Sequence, residues 1–361
     1  MKANKFTMKD VGILAGVSRT TVDRVLQNKG YVSKTAREKI EKALEQLGYS
    51  VNRYASALSK SSFFKVDLMI PEHFQDSYYD FIERGIMEEY DTISYSYKDC
   101  SLFLYNSHSA ESFIEKSKDV IAYNPSALIF GPVGNFATIS SFIKDVESNN
   151  IPYIILDSFA DCFNPISFYG QNGNSSGRFL ASILHICQID KKIGVVKSIN
   201  EGRTISQQEI ERENGFMLYF KQESPYSVIE NIQIDFKSNV ANDIKRYIKA
   251  HPDFDSIVTF NSSIGLIADA IKEISPTISL IGYDTSSINV EKLENGKIDF
   301  LICQNPILQG REALRSIFDY TILNFEQSKY HYFPIDLISK ENLKYYLSYE
   351  DGFHNIFAAR T

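Results

Sequence analysis

Cysteine and histidine are too sparse and too scattered in this sequence to predict a metal site or a disulfide framework. The four cysteines contain no C-x-x-C pair, which favours free, buried thiols in a protein of the reducing cytoplasm. The six histidines show no paired spacing of metal ligands. We therefore predict neither a metal ion nor another cofactor. The cysteines are Cys100, Cys162, Cys187 and Cys303.

Signals for export, for membrane insertion and for nucleotide binding are missing as well. Met1–Thr20 has no apolar core, so we predict neither a secretion signal nor a membrane span and expect a cytoplasmic protein. The glycines of Gly170–Gly173 resemble a phosphate-binding loop only superficially, because no Gly-Lys-Ser/Thr follows them. Since we also find no catalytic constellation, we predict that the chain is not an enzyme.

Charge, in contrast, is present in quantity and is distributed very unevenly. Residues 1–60 contain 12 lysines and arginines against five acidic residues, a net charge of +7. The whole chain carries −7, so residues 61–361 carry −14. A basic segment on an acidic body is expected when one segment contacts phosphates and the rest must stay away from them. The alternative is that these cations form ordinary solvated helix faces.

Three short helices are predicted within the basic segment. Thr7 can cap the first, Ser18 the second and Ser33 the third. The first two are separated by a tight turn at Gly16, as in a helix-turn-helix. The second helix of that motif can lie in the DNA major groove with its N-terminal side chains on base edges. An all-α head that binds DNA is therefore predicted over residues 1–50.

The same segment resembles the N-terminus of the LacI/GalR family of bacterial transcription regulators. The resemblance covers about fifty residues and rests on four motifs at the family's spacings: A-G-V-S, T-V-x-R-V-L, V-S-x-x-x-R-x-K and L-G-Y-x-x-N-x-x-A-x-x-L. It implies that the head binds double-stranded operator DNA.

By this resemblance, Arg19 and Thr20 begin the recognition helix and face base edges, with Arg24 one turn further along. Arginine can make a bidentate contact with O6 and N7 of guanine, so guanine is expected at one or more operator positions. Phosphate contacts, which position a protein without specifying the sequence, are expected from Thr7, Ser18, Thr21 and Tyr31. Ser18 and Thr21 can also cap the helix, and both roles can hold together.

Asp23 departs from the family pattern, which has a small polar residue at that position. Phosphates would repel a carboxylate there unless it pairs with Arg19, Arg24 or Lys29, or accepts a hydrogen bond from the amino group of a cytosine. We favour the internal ion pair over the contact with cytosine.

A fourth, short helix is predicted over residues 53–59, with Asn52 as its cap. An isolated helix of that length is marginal in water. In the LacI family the matching segment is a hinge helix that orders on the operator, and Leu58 has the position of the leucine that wedges into the minor groove. Val51 stands where the family has proline. Residues 51–62 are thus predicted as hinge helix and linker, with a flexible linker as the alternative.

From residue 63 onward, short apolar runs alternate with amphipathic helical patterns. This alternation predicts an α/β fold with a parallel sheet and helices on both faces, in which ligands bind at the carboxyl ends of the strands. About 300 residues exceed one ordinary domain, so two lobes are expected. The predicted strands cover 66–70, 102–105, 128–130, 153–156, 193–196, 257–260, 278–281 and 300–303. The predicted helices cover 79–89, 110–122, 139–148, 177–187, 212–221, 240–250 and 264–274.

The order of these elements is similar to the type I periplasmic sugar-binding fold, which forms the effector domain of LacI-family regulators. Y-G-Q-N-G-N-S-S-G-R, R-E-N-G-F, I-G-Y-D and I-C-Q-N-P match family motifs in order. In that fold two similar lobes, joined by three crossovers, close on a ligand. The resemblance implies an effector domain over 63–361, with lobe one at about 63–160 and 303–328 and lobe two at about 161–302 and 329–350.

Polar side chains follow four of the predicted strands, where convergent hydrogen bonds could hold the hydroxyls of an effector. They are Asp157, Asn261, Asp284 and Gln304. Tyr78, Tyr79 and Phe81, after the first strand, could supply an apolar platform for the face of a sugar. The alternative for each is a turn-capping or core role.

Two positions depart from the family pattern in this region. Many members carry an arginine that grips ligand hydroxyls or a carboxylate five residues before the glycine of R-x-x-G-F, and Ile210 stands there. Arg212 is interpreted as structural. Ser262 follows Asn261 where aspartate is common. The effector is therefore expected to be a modified sugar, a larger glycan fragment or another small molecule rather than a standard simple sugar.

Together these features predict a repressor whose operator affinity depends on a small molecule, a sugar or sugar derivative, bound between the lobes. A homodimer would present two heads to a pseudopalindromic operator, because a two-fold protein matches two-fold DNA. Ligand-dependent closure of the lobes would change the separation of the heads. The alternative function is a periplasmic-type solute-binding protein without a regulatory role, against which the missing export signal argues. No membrane partner is expected.

Overall fold

The computed structural model describes residues 6–26, 31–47, 64–93, 99–158, 162–198, 206–236 and 239–348. The chain divides into two compact units, Met1–Ser62 and Phe63–Thr361. The predicted hinge, with Asn52 and Leu58, lies outside the described residues. Among the described residues, no helix is long and apolar enough to cross a lipid bilayer.

The first unit contains the three helices that the sequence predicts: α1 Met8–Ala15, α2 Arg19–Leu26 and α3 Lys34–Leu47. The N-terminus of α1 is closed by a capping box, in which the backbone N–H of Thr7 donates to Asp10 at 2.7 Å. Gly16 ends α1 with φ 70°, a left-handed conformation that suits glycine. The apolar faces of the helices form one small core of Val11, Ala15, Val22, Val25, Ile40 and Ala43.

The second unit contains two six-stranded sheets. The first sheet has the strand order β11-β5-β4-β3-β1-β2 and the second β12-β10-β9-β8-β6-β7. All pairs are parallel except β10 with β12. The strands are β1 Lys65–Pro71, β2 Asp99–Tyr105, β3 Ala127–Phe130, β4 Tyr153–Leu156, β5 Ser167–Gly170, β6 Lys192–Ser198, β7 Val228–Ile234, β8 Ser256–Val258, β9 Ser279–Tyr283, β10 Phe300–Cys303, β11 Tyr330–Tyr332 and β12 Asp336–Ile338.

Helices connect these strands and cover both faces of each sheet, as the alternating pattern predicts. They are α4 Tyr78–Ile93, α5 Ala110–Tyr123, α6 Phe136–Ser148, α7 Gly173–Ile186, α8 Gln207–Glu223, α9 Val240–Ala250, α10 Ile264–Ile274, α11 Ser287–Glu294 and α12 Pro306–Thr321. The predicted fold class, an all-α head and a two-lobed α/β domain of mainly parallel sheets, is confirmed.

The chain crosses between the two sheets three times: after β5, after β10 and after β11. The predicted lobe boundaries are wrong at two strands. Ser167–Gly170 and Tyr330–Tyr332 were assigned to the second lobe, but both lie in the first sheet, where they pair with each other. Both strands are short, and their pairing joins segments more than 160 residues apart, so no local pattern specifies it.

Each lobe has an unusually close contact between two helices, made possible by glycines. A Cβ on Gly177 of α7 would overlap the carbonyl oxygen of Arg212, and one on Gly215 of α8 would overlap that of Asn174. In the first lobe, Gly85 of α4 and Gly310 of α12 make the equivalent approach. These glycines bring α7 and α12, which follow the first two crossovers, directly against α8 and α4, the helices after the first strand of each lobe.

We expect Gly215→Ala to lower the free energy of unfolding of the second unit by about 1–3 kcal/mol, because the added methyl forces α7 and α8 apart. This is the net change: the cost of the clash exceeds the stabilisation of about 1 kcal/mol that alanine would otherwise provide over glycine inside a helix. Urea denaturation of the full chain measures the change. Asn214→Ala, at an exposed position of the same helix, is the control and should leave the midpoint nearly unchanged. An equal midpoint for both variants would contradict the close contact.

The cysteines differ from their predicted burial. None of the four forms a disulfide, but only Cys303 is buried; Cys100 is half-buried, and Cys162 and Cys187 are exposed. The sequence shows that no pair has a motif spacing, but it does not show which cysteine faces the core.

Candidate functional site

The recognition face of the first unit is the N-terminal half of α2. Ser18 caps this helix by accepting a hydrogen bond from the backbone N–H of Thr21 at 3.1 Å, and the two hydroxyls lie 2.8 Å apart. The capping role predicted for Ser18 is therefore confirmed, while its contact with phosphate stays a prediction. Arg19, Thr20 and Arg24 are all exposed, because the opposite face of α2 buries Val22 and Val25.

The other two predicted phosphate contacts in the described part of this unit have different surroundings. Tyr31 is 90% exposed, so its ring and hydroxyl are available to a partner. Thr7 is exposed but its hydroxyl lies 2.7 Å from a carboxylate oxygen of Asp10. Asp23 is half-buried, and its pairing with an arginine stays a prediction.

In the second unit, the carboxyl ends of the parallel strands of both sheets face a cleft between the lobes. Asp157 follows β4 of the first sheet and Asp284 follows β9 of the second, which are equivalent positions in the two strand orders. Both have left-handed backbones, with φ 63° and 69°, and both are more than nine-tenths buried. This backbone conformation is energetically unfavourable for residues other than glycine, and such residues cluster at functional sites.

Arg212 of α8 is the cation that accompanies these two carboxylates. It is 3% exposed, donates from Nη1 to the carbonyl of Phe260 at 2.8 Å and lies with its guanidinium carbon 4.0 Å from the ring centre of Tyr283. These contacts support the predicted structural role. Its Nε and Nη2 have no hydrogen-bond partner among the described residues, however, and it lines the cleft beside Asp157 and Asp284.

Burial has the largest influence on the pKa of both aspartates. The pKa of Asp157 is raised to about 6, chiefly by desolvation and also by the charge of Asp284, against the opposing attraction of the Arg212 guanidinium. Burial likewise raises the pKa of Asp284, again opposed by Arg212. Two buried carboxylates that share one arginine retain unused capacity to accept hydrogen bonds, which a ligand's hydroxyl groups can fill.

A chain of amides connects Asp284 to the opposite lobe. Gln304, after β10, donates from Nε2 to Oδ1 of Asp284 at 2.7 Å, and its buried Oε1 has no partner among the described residues. Gln309 of α12 donates to the backbone carbonyl of Gln304 at 2.6 Å and accepts from the hydroxyl of Tyr78 at 2.8 Å. Two predicted effector residues, Tyr78 and Gln304, are thus joined to a third, Asp284.

Asn261 also lines the cleft, but its amide is already occupied. Its Nδ2 donates to Glu209 at 3.0 Å, and its Oδ1 accepts from the backbone N–H of Ser263 at 3.0 Å. The turn-capping role that the sequence left open for Asn261 is therefore present in the structure. The contact with an effector stays a prediction.

The predicted aromatic platform is only partly present. The rings of Tyr78 and Tyr79 meet edge-on at 5.2 Å, and both line the cleft. The hydroxyl of Tyr79 is buried without a hydrogen-bond partner among the described residues. Phe81 is 9% exposed and does not line the cleft; the guanidinium carbon of Arg84 lies 4.9 Å from the centre of its ring. Phe74, which was not predicted, is 70% exposed and lines the cleft.

Gln171 is a residue that sequence reasoning missed. Its Nε2 donates to the carbonyls of Cys303 at 3.0 Å and of Pro334 at 2.8 Å, and its Oε1 accepts from Ser176 at 2.9 Å. It therefore ties together the three crossovers. A signal did exist: the pair Gln-Asn occurs after β5, at 171–172, and again after β10, at 304–305.

Comparison with known proteins identifies both units. The family model described as bacterial regulatory proteins, lacI family, matches residues 7–52, and the model of a periplasmic binding protein domain matches residues 68–323. A solved structure from Bacteroides fragilis, described as a LacI transcriptional regulator, is 30% identical with a TM-score of 0.74 and covers 79% of this chain and 99% of its own. The chain belongs to the lacI family of bacterial regulatory proteins.

Two curated relatives of this lacI-family regulator match it over nearly the whole length. The ribose operon repressor of Lactococcus lactis subsp. lactis is 25% identical over 355 residues, 94% of this chain and 98% of the relative. The sucrose operon repressor of Streptococcus mutans is 24% identical over 344 residues, 93% of this chain and 99% of the relative. The chain thus combines the two domains of a DNA-binding transcriptional regulator.

Proposed function

We propose that this lacI-family protein is a cytoplasmic, homodimeric repressor whose operator affinity changes when a neutral sugar or sugar derivative binds between its lobes. The observation that carries the ligand class is the pair of buried aspartates, Asp157 and Asp284, in one chamber with buried Arg212, whose Nε and Nη2 have no hydrogen-bond partner within the described residues. Carboxylates accept from hydroxyls and guanidinium donates to them. The names of the relatives, repressors of ribose and sucrose operons, support the same class.

The charge of the cleft favours a neutral ligand over a phosphorylated or acidic one. Four carboxylates, those of Glu72, Asp157, Glu209 and Asp284, line it together with the guanidinium of Arg212 and the imidazoles of His73 and His108. An anionic ligand would add a further negative charge in a site of low dielectric, where like charges repel strongly. Hydroxyl groups, in contrast, satisfy carboxylates and guanidinium without adding charge.

The ligand claim is tested by thermal shift and calorimetry with neutral sugars and the corresponding sugar phosphates. We expect Asp157→Asn to weaken binding of the neutral sugar by about 1.5–3 kcal/mol, because it removes a charged acceptor. The matched control is Asp67→Asn, since Asp67 is fully buried, has no partner for either oxygen among the described residues and lies outside the cleft. Tighter binding of the phosphates, or equal losses in both variants, would contradict the proposal.

The DNA claim is tested on the operator that a genomic footprint identifies. Arg19→Ala should cost about 1–3 kcal/mol of discrimination at one base position, because arginine pairs with guanine in a bidentate manner. Lys5→Ala should instead weaken binding to all sequences alike and reduce the salt slope by about one. Fluorescence anisotropy on the operator and on variants with single base changes distinguishes the two. A uniform loss from Arg19→Ala would place Arg19 on phosphate rather than on a base.

Homodimerisation is tested separately by sizing the full chain at micromolar concentration, with and without operator. A two-fold operator requires two heads, so only monomer in both samples would refute the proposed assembly.

A further inference from the structure

The cleft extends from the aspartate pair toward the crossovers as a second, larger space. The space around the aspartates, the carboxylate chamber, encloses about 320 Å³ and the second space about 780 Å³. Asp157, Ser206 and Gln208 line both, so the two spaces adjoin. Small-molecule sites commonly enclose about 300–1,000 Å³. A single sugar ring between the aspartates would therefore leave most of the cleft to water.

The first-lobe wall of the larger space is aromatic. Phe136, at the start of α6, is 58% exposed and stacks on the buried ring of Phe163 with centres 5.9 Å apart. Tyr332 of β11 is 54% exposed and meets the buried ring of Phe168 edge-on at 5.9 Å. We call this space, lined by these four rings, the aromatic chamber. Exposed rings that are held in place by buried rings provide rigid apolar faces for a ligand.

The opposite wall comes from the second lobe and is mostly polar. Asn174 of α7 and Gln207 of α8 present amides, and Glu211 presents a carboxylate. Ile210, 40% exposed, contributes an apolar side chain where many family members carry an arginine. The described residues that line this chamber include two acids, Asp157 and Glu211, and no lysine, arginine or histidine.

An aromatic wall opposite a wall of amides suits a ring with one apolar and one polar face. A pyranose has such faces, since its C–H groups and its hydroxyls point in different directions. The acidic lining again disfavours an anionic unit. Because Asp157 lines both chambers, one ligand can extend from the carboxylate chamber into this one.

We propose that the aromatic chamber binds the second ring of a neutral disaccharide or oligosaccharide whose first ring lies between Asp157 and Asp284. The apolar face of the second ring covers Phe136, and its hydroxyls reach the amides of Asn174 and Gln207. This inference rests on the proposed function, because it requires a sugar in the carboxylate chamber.

Calorimetry on the full chain tests the proposal with glucose, galactose, mannose and xylose, each compared with disaccharides built from it. At least one disaccharide should bind at least tenfold more tightly than its own monosaccharide. Phe136→Ala should weaken the binding of that disaccharide by about a factor of ten and leave the affinity for the monosaccharide unchanged. Ile210→Arg, which places a long cation in the chamber, should do the same. Both positions are exposed, so folding should be retained, and Phe325→Ala, an exposed ring outside the cleft, is the matched control.

The outcomes separate this inference from the proposed function. If a monosaccharide binds as tightly as its disaccharides, or if Phe136→Ala has no more effect than Phe325→Ala, the chamber assignment is overturned and the proposed function is retained. If phenyl glycosides gain affinity and disaccharides do not, the second ring is an aryl group and the saccharide assignment fails. If no sugar binds, or if Asp157→Asn leaves all binding unchanged, the proposed function fails and this inference with it.

Discussion

Arg212→Met is expected to lower the free energy of unfolding of the effector domain by about 3–5 kcal/mol at pH 8, the usual cost of removing one partner from a buried ionic group. The substitution keeps much of the side-chain length but removes the only guanidinium that lines the carboxylate chamber among the described residues. In the variant, Asp157 and Asp284 remain buried but have lost the cation that compensates their charge. Urea denaturation of the full chain measures the loss.

The same loss should be smaller at pH 5. The pKa of Asp157 in the folded protein is raised to about 6 by burial, whereas in the unfolded chain it is about 4. Because this pKa is higher in the folded protein, the contribution of the carboxyl group to stability is fully present below pH 4. It is lost as the pH rises through about 6, the pKa in the folded protein. Without Arg212 the pKa of Asp157 in the folded protein rises further. The loss of stability in Arg212→Met therefore persists at pH 8 and becomes smaller at pH 5, where the aspartates are protonated.

The pH comparison separates an electrostatic role of Arg212 from a packing role. Arg212 also packs on Tyr283 and donates to Phe260, and loss of these contacts would cost the same at both pH values. Arg212→Lys keeps the charge and should recover part of the stability at pH 8. An equal deficit for Arg212→Met at pH 5 and pH 8 would show that packing dominates.

Gln171→Leu is expected to destabilise the effector domain by about 2–4 kcal/mol, because it removes the hydrogen bonds that a buried amide makes with three polar groups. The groups are the carbonyls of Cys303 and Pro334 and the hydroxyl of Ser176, of which the hydroxyl keeps a bond to Tyr283 at 3.2 Å. Leucine fills a similar volume, so the loss reports the hydrogen bonds rather than a cavity.

Sugar binding should weaken in the same variant, since Gln171 holds together the crossovers about which the lobes must close. Gln207→Leu, an exposed glutamine on the cleft, is the control for stability and should change the urea midpoint little. A loss below about 1 kcal/mol in Gln171→Leu would mean that water replaces the amide at the crossovers.

Much of the head could be predicted from the sequence because its determinants are local. The cap of α1 at Thr7 and Asp10, the turn at Gly16 and the cap of α2 at Ser18 all act within three or four residues. The apolar spacing of Val22 and Val25 likewise decides which face of α2 is exposed. Such features are specified by short-range sterics and hydrogen bonds.

In the effector domain, the alternating pattern predicted most strands and helices but not which lobe each of them belongs to. The sequence reasoning missed β5, β7, β11, β12, α11 and α12 as elements. Gln171 was seen only as part of a loop, although its partners lie more than 130 residues away. Contacts of that range depend on the assembled sheets and leave no periodic signal.

The sequence by itself determined the family, the helix-turn-helix head and the placement of Asp157, Asp284 and Gln304 after strands, since each depends on motifs or on local periodicity. Only the tertiary structure decided that Arg212 lines the same chamber as the two aspartates, that β5 and β11 belong to the first lobe and that aromatic rings line the second chamber. The physical reason is that burial, and with it the shifted pKa of Asp157 and the exposure of Phe136, arises from residues that are distant in the chain and meet only when the two sheets and their crossovers are in place.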